Sequence, residues 1–153
     1  MADLVGLLAV ILILAVLLWR PARAAPARKR EPSAGTIKGR GDFDCQVVGE
    51  SHYQRALEQI AGKRTDESAE LACTAHLIPE PDNKHDRNAI RVDIAGLTVG
   101  YLSRDDAEEL GERLRAQGLH GKVVAANALI VGGWDRGGRD VGHFGVRLDI
   151  PID

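Results

Sequence analysis

The densest run of chemically capable side chains lies between a pair of prolines and an apolar strand: Pro79-Glu80-Pro81-Asp82-Asn83-Lys84-His85-Asp86-Arg87-Asn88-Ala89-Ile90-Arg91-Val92. A carboxylate accepts hydrogen bonds, a carboxamide donates and accepts, and an imidazole can donate, accept or stack. Asn83, His85 and Asp86 at this spacing could therefore hold a polar ligand. The same residue types also build turns, because Asn and Asp side chains bond backbone amides a few positions on. For Asn88 the turn role is the stronger reading; for Asp86 turn and ligand stand even. His85 reads as an exposed loop histidine rather than a metal ligand. Elsewhere, His52 and Tyr53 precede a helical pattern that they could simply cap, Tyr101 closes a strand pattern and could be core, and Arg104 opens a helix.

No catalytic pattern accompanies these residues. The chain has no Ser-His-Asp arrangement, no paired histidine ligands and no dinucleotide fingerprint. A calcium loop needs acidic or amide groups at alternate positions, and Asp82-Asn83-Lys84 places lysine at the third. Gly132-Gly133-Trp134-Asp135-Arg136-Gly137-Gly138 lacks the GK[ST] ending of a phosphate loop and reads as a mobile connection between strands. Asp105 to Glu112 reads as a solvated helix face. The expectation is a binding module without catalysis, with no cofactor and no metal.

The elements that must position the loop follow from periodicity. Phe43 to Gly49 alternates apolar and polar residues like a half-buried strand. Tyr53 to Ala61 carries Leu57, Ile60 and Ala61 at helical spacing and is closed by Gly62. Leu71 to Ile78 reads as a strand ended by Pro79 and Pro81, and Ala89 to Ile94 with Leu97 to Leu102 reads as a hairpin about Ala95-Gly96. Ser103 is a good N-cap for a helix bearing Asp105 and Asp106 in its first turn and Ala107, Leu110 and Leu114 on one face, closed by Gly118. Lys122 to Val131 and His143 to Ile150 are the last strands, with Val123, Leu129, Val146 and Leu148 expected to be largely buried. The order β-α-β-β-β-α-β-β describes a mixed α+β domain: a small curled sheet or open barrel with two helices packed on it. Cys45 and Cys73 are far apart with no C-x-x-C pair, so buried reduced thiols are expected rather than a disulfide or zinc site.

The N-terminus has a different character. Residues 4–19 are all apolar or glycine, preceded by Asp3 and followed by Arg20, Arg23, Arg28, Lys29 and Arg30. This reads as a transmembrane helix over 1–19, slightly short of the roughly 30 Å hydrocarbon core, with Trp19 and Arg20 at the interface. The positive charge on its C-terminal side places the following domain in the cytoplasm of a single-pass protein of the inner or plasma membrane. A cleaved secretory signal, for which Ala22-Arg23-Ala24 offers a small-x-small site, is the weaker alternative because it needs its charge on the other side. Residues 20–42, rich in Pro, Ala, Arg and Gly, read as a disordered basic linker, and 43–153 as the folded domain. Residues 1–35 hold five basic and two acidic side chains and residues 36–153 hold fifteen and twenty, a net of +3 against −5. A domain of that charge is poorly suited to coating nucleic acid indiscriminately, which works by releasing counterions from neutralised phosphates.

Several separated motifs then fall in one order: Val48-Gly49-Glu50-Ser51-His52-Tyr53-Gln54, the Pro-bounded loop with Asn83-x-His85-Asp86-x-Asn88-Ala89, Val99-Gly100-Tyr101-Leu102 after the hairpin, and Gly145-Val146-Arg147-Leu148. Together they resemble the HIRAN domain over about residues 43–150, with the N-terminal segment suggesting a free-standing, membrane-anchored bacterial-type member. The resemblance implies an OB-like fold and, as in some members, recognition of single-stranded DNA at its 3′ end. Carried over by position, the ligand site would comprise Asn83, His85, Asp86, His52, Tyr53, Tyr101 and Arg104. Helicase members tend to have an aromatic where this chain has His85, although imidazole can also stack. The expected partners are single-stranded DNA or DNA ends, with the membrane through residues 1–19. The second reading is a protein or small ligand taken up on the same scaffold.

Overall fold

The computed structural model describes residues 32–152; the segment read as membrane-spanning and most of the basic linker lie outside these. Six strands, β1 (Cys45–Gln46), β2 (Ala69–Pro79), β3 (Ile90–Ile94), β4 (Leu97–Tyr101), β5 (Val124–Gly132) and β6 (Phe144–Asp149), form one antiparallel sheet in the order β1-β6-β5-β2-β3-β4. Two helices, α1 (Gln54–Ala61) and α2 (Arg104–Ala116), and a 3-10 turn (Glu50–His52) complete the fold. The sheet curls until its ends meet: just past β1, Val48 exchanges backbone hydrogen bonds of 2.8 and 3.0 Å with Tyr101 of β4. The result is a small curled α+β half-barrel, in keeping with the curled sheet or open barrel that the strand pattern implied.

Strand alternation builds the interior. Val124, Ala126, Ala128 and Ile130 of β5 point inward beside Leu77 and Ala75 of β2 and Val146 and Leu148 of β6, all essentially buried. Leu57 of α1 and Ala107, Leu110 and Leu114 of α2 pack onto this core. Ser103 caps α2 as expected, its hydroxyl accepting from the amide of Asp106 at 3.2 Å. Cys45 and Cys73 are free thiols, the first buried and the second half-buried; burial, then the nearby Asp106 charge, pushes Cys45 up to about 12.

Three expectations change. Val123 and Leu129 are only half-buried, because Val123 precedes β5 and Leu129 falls on the outward phase of a strand whose even-numbered residues face the core. The folded unit also begins before Phe43. Ala34 donates to the Val123 carbonyl at 2.7 Å, Ile37 to Ala125 at 2.8 Å and Gly39 to Asp149 at 3.2 Å, and Ile37 is 7% exposed. A Cβ at Gly39 would lie 2.2 Å from Asp149 Oδ1, so glycine is what lets the segment lie so close. Finally, the glycine-rich connection is a knit hairpin. Gly142 donates to the Trp134 carbonyl at 2.9 Å, Arg136 to Asp140 at 3.0 Å, and the Trp134 indole to Asp140 Oδ1 at 2.9 Å.

Candidate functional site

Curling of the sheet brings the end of β2, the start of β3, the end of β4 and the 3-10 turn to one end of the barrel. The loop between β2 and β3 is organised by its own side chains. Asn83 Oδ1 accepts from the amides of His85 at 3.0 Å and Asp86 at 3.3 Å, while Asn83 Nδ2 donates to Glu80 Oε2 at 3.1 Å. Asp86 Oδ1 accepts from the amide of Asn88 at 2.8 Å, the Asx turn foreseen for this stretch. Asp86 Oδ2 faces Arg104 Nε at 4.0 Å, from the first residue of α2. Asp86 therefore holds the turn with one oxygen and turns the other toward a cation whose side chain is 81% exposed.

Beneath the loop lies a chain of charges that sequence reasoning missed. Arg91 of β3 pairs with Glu80 through Nη1 and with Asp93 through Nε at 2.9 Å, and Thr98 donates its hydroxyl to Asp93 Oδ1 at 2.9 Å. Arg91 and Asp93 are buried, and every buried side-chain polar atom among the described residues has a partner. Burial opposes ionisation of Glu80. Hydrogen bonds from Asn83 and Arg91, the Arg91 charge and the Tyr101 hydroxyl outweigh it and hold the carboxyl below its ordinary value. Burial, then the Glu80 charge, the neighbouring Tyr53 and a hydrogen bond to Glu80 push the Tyr101 phenol up to about 12. Tyr101 is thus a neutral donor fixed on Glu80, with Tyr53 close by. The signal that could have found this network is the opposite charge pair Arg91-x-Asp93 inside an otherwise apolar strand. Exposed, it would be unremarked; buried, it demands a partner.

Tyr53 is placed by a different device. Gly49 adopts φ +81 before the 3-10 turn, and Gln54 Nε2 donates to the Phe144 carbonyl at 2.8 Å while its Oε1 accepts the Phe144 amide at 2.9 Å. The side chain of Gln54 so behaves as a strand partner for β6, and the half-buried Tyr53 is locked beside it. The structure thus gathers Asn83, Arg91 and Tyr101 on Glu80, with Tyr53 beside Tyr101, and sets Asp86 opposite Arg104 on the same loop. His52 and His85 belong to the same two turns, but their imidazoles are exposed and no hydrogen bond ties them down among the described residues. Lys84 and Arg87 are also exposed, as is Asp82 between them and the prolines, so the rim of the loop carries charges of both signs.

Two surface depressions border the same loop and 3-10 turn. One of about 230 Å³ runs between Pro81, Asn88 and the Gly111 and Arg115 face of α2; the other, about 550 Å³, lies between Ser51, Trp134, His143 and Arg147.

No curated protein matches the chain. Among solved structures, the crystal structure of the HIRAN domain of human HLTF aligns with 19% identity and a TM-score of 0.32, covering 68% of this chain and 70% of that chain. The HIRAN domain family itself matches residues 40–128, which takes in β1 through the start of β5 and every residue of the cluster around Glu80. That span is more than half of the chain, and the protein belongs to the HIRAN domain family, a family of nucleic-acid-binding domains.

Proposed function

We propose that the domain binds single-stranded DNA at its 3′ end, as a non-catalytic module tethered to the inner or plasma membrane by residues 1–19 and facing the cytoplasm. The observation that carries the reading is the division of labour at Asp86. Its Oδ1 is spent on the Asn88 amide, and its Oδ2 faces the exposed Arg104 at 4.0 Å. A terminal 3′-hydroxyl can donate to that oxygen, while a terminal phosphate would be repelled by it. Arg104, with Lys84 and Arg87 on the same rim, can take the backbone phosphates. Tyr53 and Tyr101 offer ring surface for the last bases, worth roughly 1–3 kcal/mol per stacked base, and His85 can add an imidazole. Asn83 supports this site chiefly by shaping the loop. Its oxygen is occupied by two amides, leaving one amide hydrogen to meet a base edge or sugar.

Fluorescence anisotropy on a chain beginning at Pro32 tests the reading, with a short oligonucleotide carrying either a 3′-hydroxyl or a 3′-phosphate. The hydroxyl end is expected to bind more tightly, and Asp86→Ala to abolish the difference. Equal binding of both ends defeats end recognition. Because residues 36–153 carry a net charge of −5, no binding at millimolar oligonucleotide would favour the second reading, a protein or small-ligand partner. The tether is tested apart from this. A C-terminal alkaline phosphatase fusion should be inactive and a C-terminal fluorescent fusion bright; the reverse pattern would put the domain on the other side of the membrane.

A further inference from the structure

The described chain begins beside the connection between α2 and β5. Ala34 donates to the Val123 carbonyl at 2.7 Å, and Thr36 pairs in parallel with Ala125. Parallel partners run the same way, so the residues before Ala34 continue toward Lys122 and Gly121. Gly121 and His120 form one end of the cleft of about 230 Å³ between α2 and the loop joining β2 to β3.

Pro79, Pro81 and Ile90 line one wall of this cleft and α2 lines the other. On the helix side, Glu108, Gly111, Glu112 and Arg115 fall at i, i+3, i+4 and i+7, and so share one stripe. The three charged residues are exposed, and no ion pair engages them among the described residues. Gly111 is the unexpected member. Only proline suits a helix interior less well than glycine, and a Cβ at this position would meet nothing within 4 Å. Packing within the described residues therefore gives no reason for the glycine, whereas a second backbone passing close over the stripe would.

We propose that residues 24–31 of the same chain, Ala24-Ala25-Pro26-Ala27-Arg28-Lys29-Arg30-Glu31, supply that backbone and lie along the cleft parallel to α2. The charges match in order. An extended chain with three residues to the turn and a rise of about 3.1 Å sets Arg28 and Glu31 on one side, about 9 Å apart. Glu108 and Arg115 are about 10.5 Å apart along the helix. Arg28 then meets Glu108, Glu31 meets Arg115, and Lys29 and Arg30 cross Gly111 beside Glu112. The uncharged run Ala24 to Ala27 is left for the end of the cleft at Pro81, where Arg87 would repel a cation. The opposite direction would set Glu31 on Glu108 and Arg28 on Arg115, like charge on like.

Exposed ion pairs are individually weak. Here, however, only Pro32 and Ser33 separate the segment from the domain, and an intramolecular partner on so short a link has an effective concentration in roughly the millimolar range. Residues 1–23 then leave beside the Asp86 turn, which, on the function proposed above, brings the membrane tether and the strand-end site to one side of the domain. The docking itself does not rest on that function, and its test uses no oligonucleotide.

Trypsin reads the docking in the full chain held in mild nonionic detergent. Lys29 lies inside the proposed register and Arg23 outside it, so the ratio of cleavage after Lys29 to cleavage after Arg23 reports how far the segment is covered. The ratio should rise by about tenfold in Glu108→Gln with Glu112→Gln, which removes the matching charges. It should rise as much in Gly111→Gln, which closes the cradle with a better helix former and leaves every charge in place. The register is tested by oxidation. Lys29→Cys with Gly111→Cys should form an intramolecular disulfide about tenfold faster than Lys29→Cys with Gln117→Cys, because only the first pair is held at disulfide distance. Gln117 is exposed at the end of α2 and equally within reach of an undocked segment. A cleavage ratio unchanged in either variant would leave the cleft to another occupant and overturn the proposal, as would equal closure of the two cysteine pairs.

Discussion

One carboxylate, Glu80, receives Arg91, Asn83 and Tyr101, groups from β3, the loop and β4. Glu80→Gln keeps the shape but loses the charge that Arg91 and Tyr101 were placed to meet, leaving a buried cation short of a partner. A loss of about 1.5–3 kcal/mol is expected, the range for a hydrogen bond to a charged group. Because its folded pKa lies below the ordinary 4.5, Glu80 contributes stability that is present above that pH and lost as pH falls through the folded value. Thermal melts from neutral to acid pH should therefore show a shallower acid limb in Glu80→Gln than in the wild type. At the alkaline end the sign reverses. Tyr101 keeps its proton up to about 12 when folded, against 10 for the free side chain, so stability is lost between those values and Tyr101→Phe should flatten that limb. The turn-building roles of Asn83 and Asp86 were legible in the sequence, and Tyr101 entered through the family resemblance. Glu80 was not, since between two prolines it looked like one more solvated turn residue.

At the scale of elements, the succession of strands and helices along the chain and the Ser103 cap were readable because turn residues and period-2 runs are local signals. What escaped was long-range. Nothing local distinguishes Ile37 from a linker residue until Val123 and Ala125 are beside it, and nothing in β5 says which phase of an almost wholly apolar run faces inward. Closure of the sheet is likewise invisible in Val99-Gly100-Tyr101, yet Gly100 is what permits it. A Cβ there would lie 2.4 Å from Val47 Cγ1 and 2.6 Å from the Val48 carbonyl oxygen. The oxygen belongs to a backbone already bonded to Tyr101, so it cannot move without breaking the bridge that closes the barrel. Gly100→Ala should cost about 1–3 kcal/mol through this overpacking. It should also shift Tyr101, so that oligonucleotide affinity falls by more than the stability loss alone explains. Chemical denaturation paired with anisotropy on the fraction that remains folded separates the two effects.

Over the whole molecule the charge is distributed against its apparent use. Residues 36–153 carry a net of −5, while Lys84, Arg87 and Arg104 are exposed beside Asp86. A protein that tracks many phosphates releases many counterions, and its affinity falls steeply with salt; one that grips a strand end touches few. The acidic remainder of the surface adds a second effect, since it repels any phosphate beyond the reach of Lys84, Arg87 and Arg104 and confines the strand to its terminal nucleotides. Two consequences can be measured in the same titrations. The slope of log affinity against log salt should lie near roughly −1 to −3, the value for a few phosphates on a single strand. Lengthening the oligonucleotide beyond the first few nucleotides should leave both affinity and slope almost unchanged. Arg104→Ala should weaken hydroxyl and phosphate ends alike and bring the slope about one unit nearer zero. A slope that steepens with oligonucleotide length would mean that the strand is followed along the surface, and the end-gripping geometry around Asp86 would have to be abandoned.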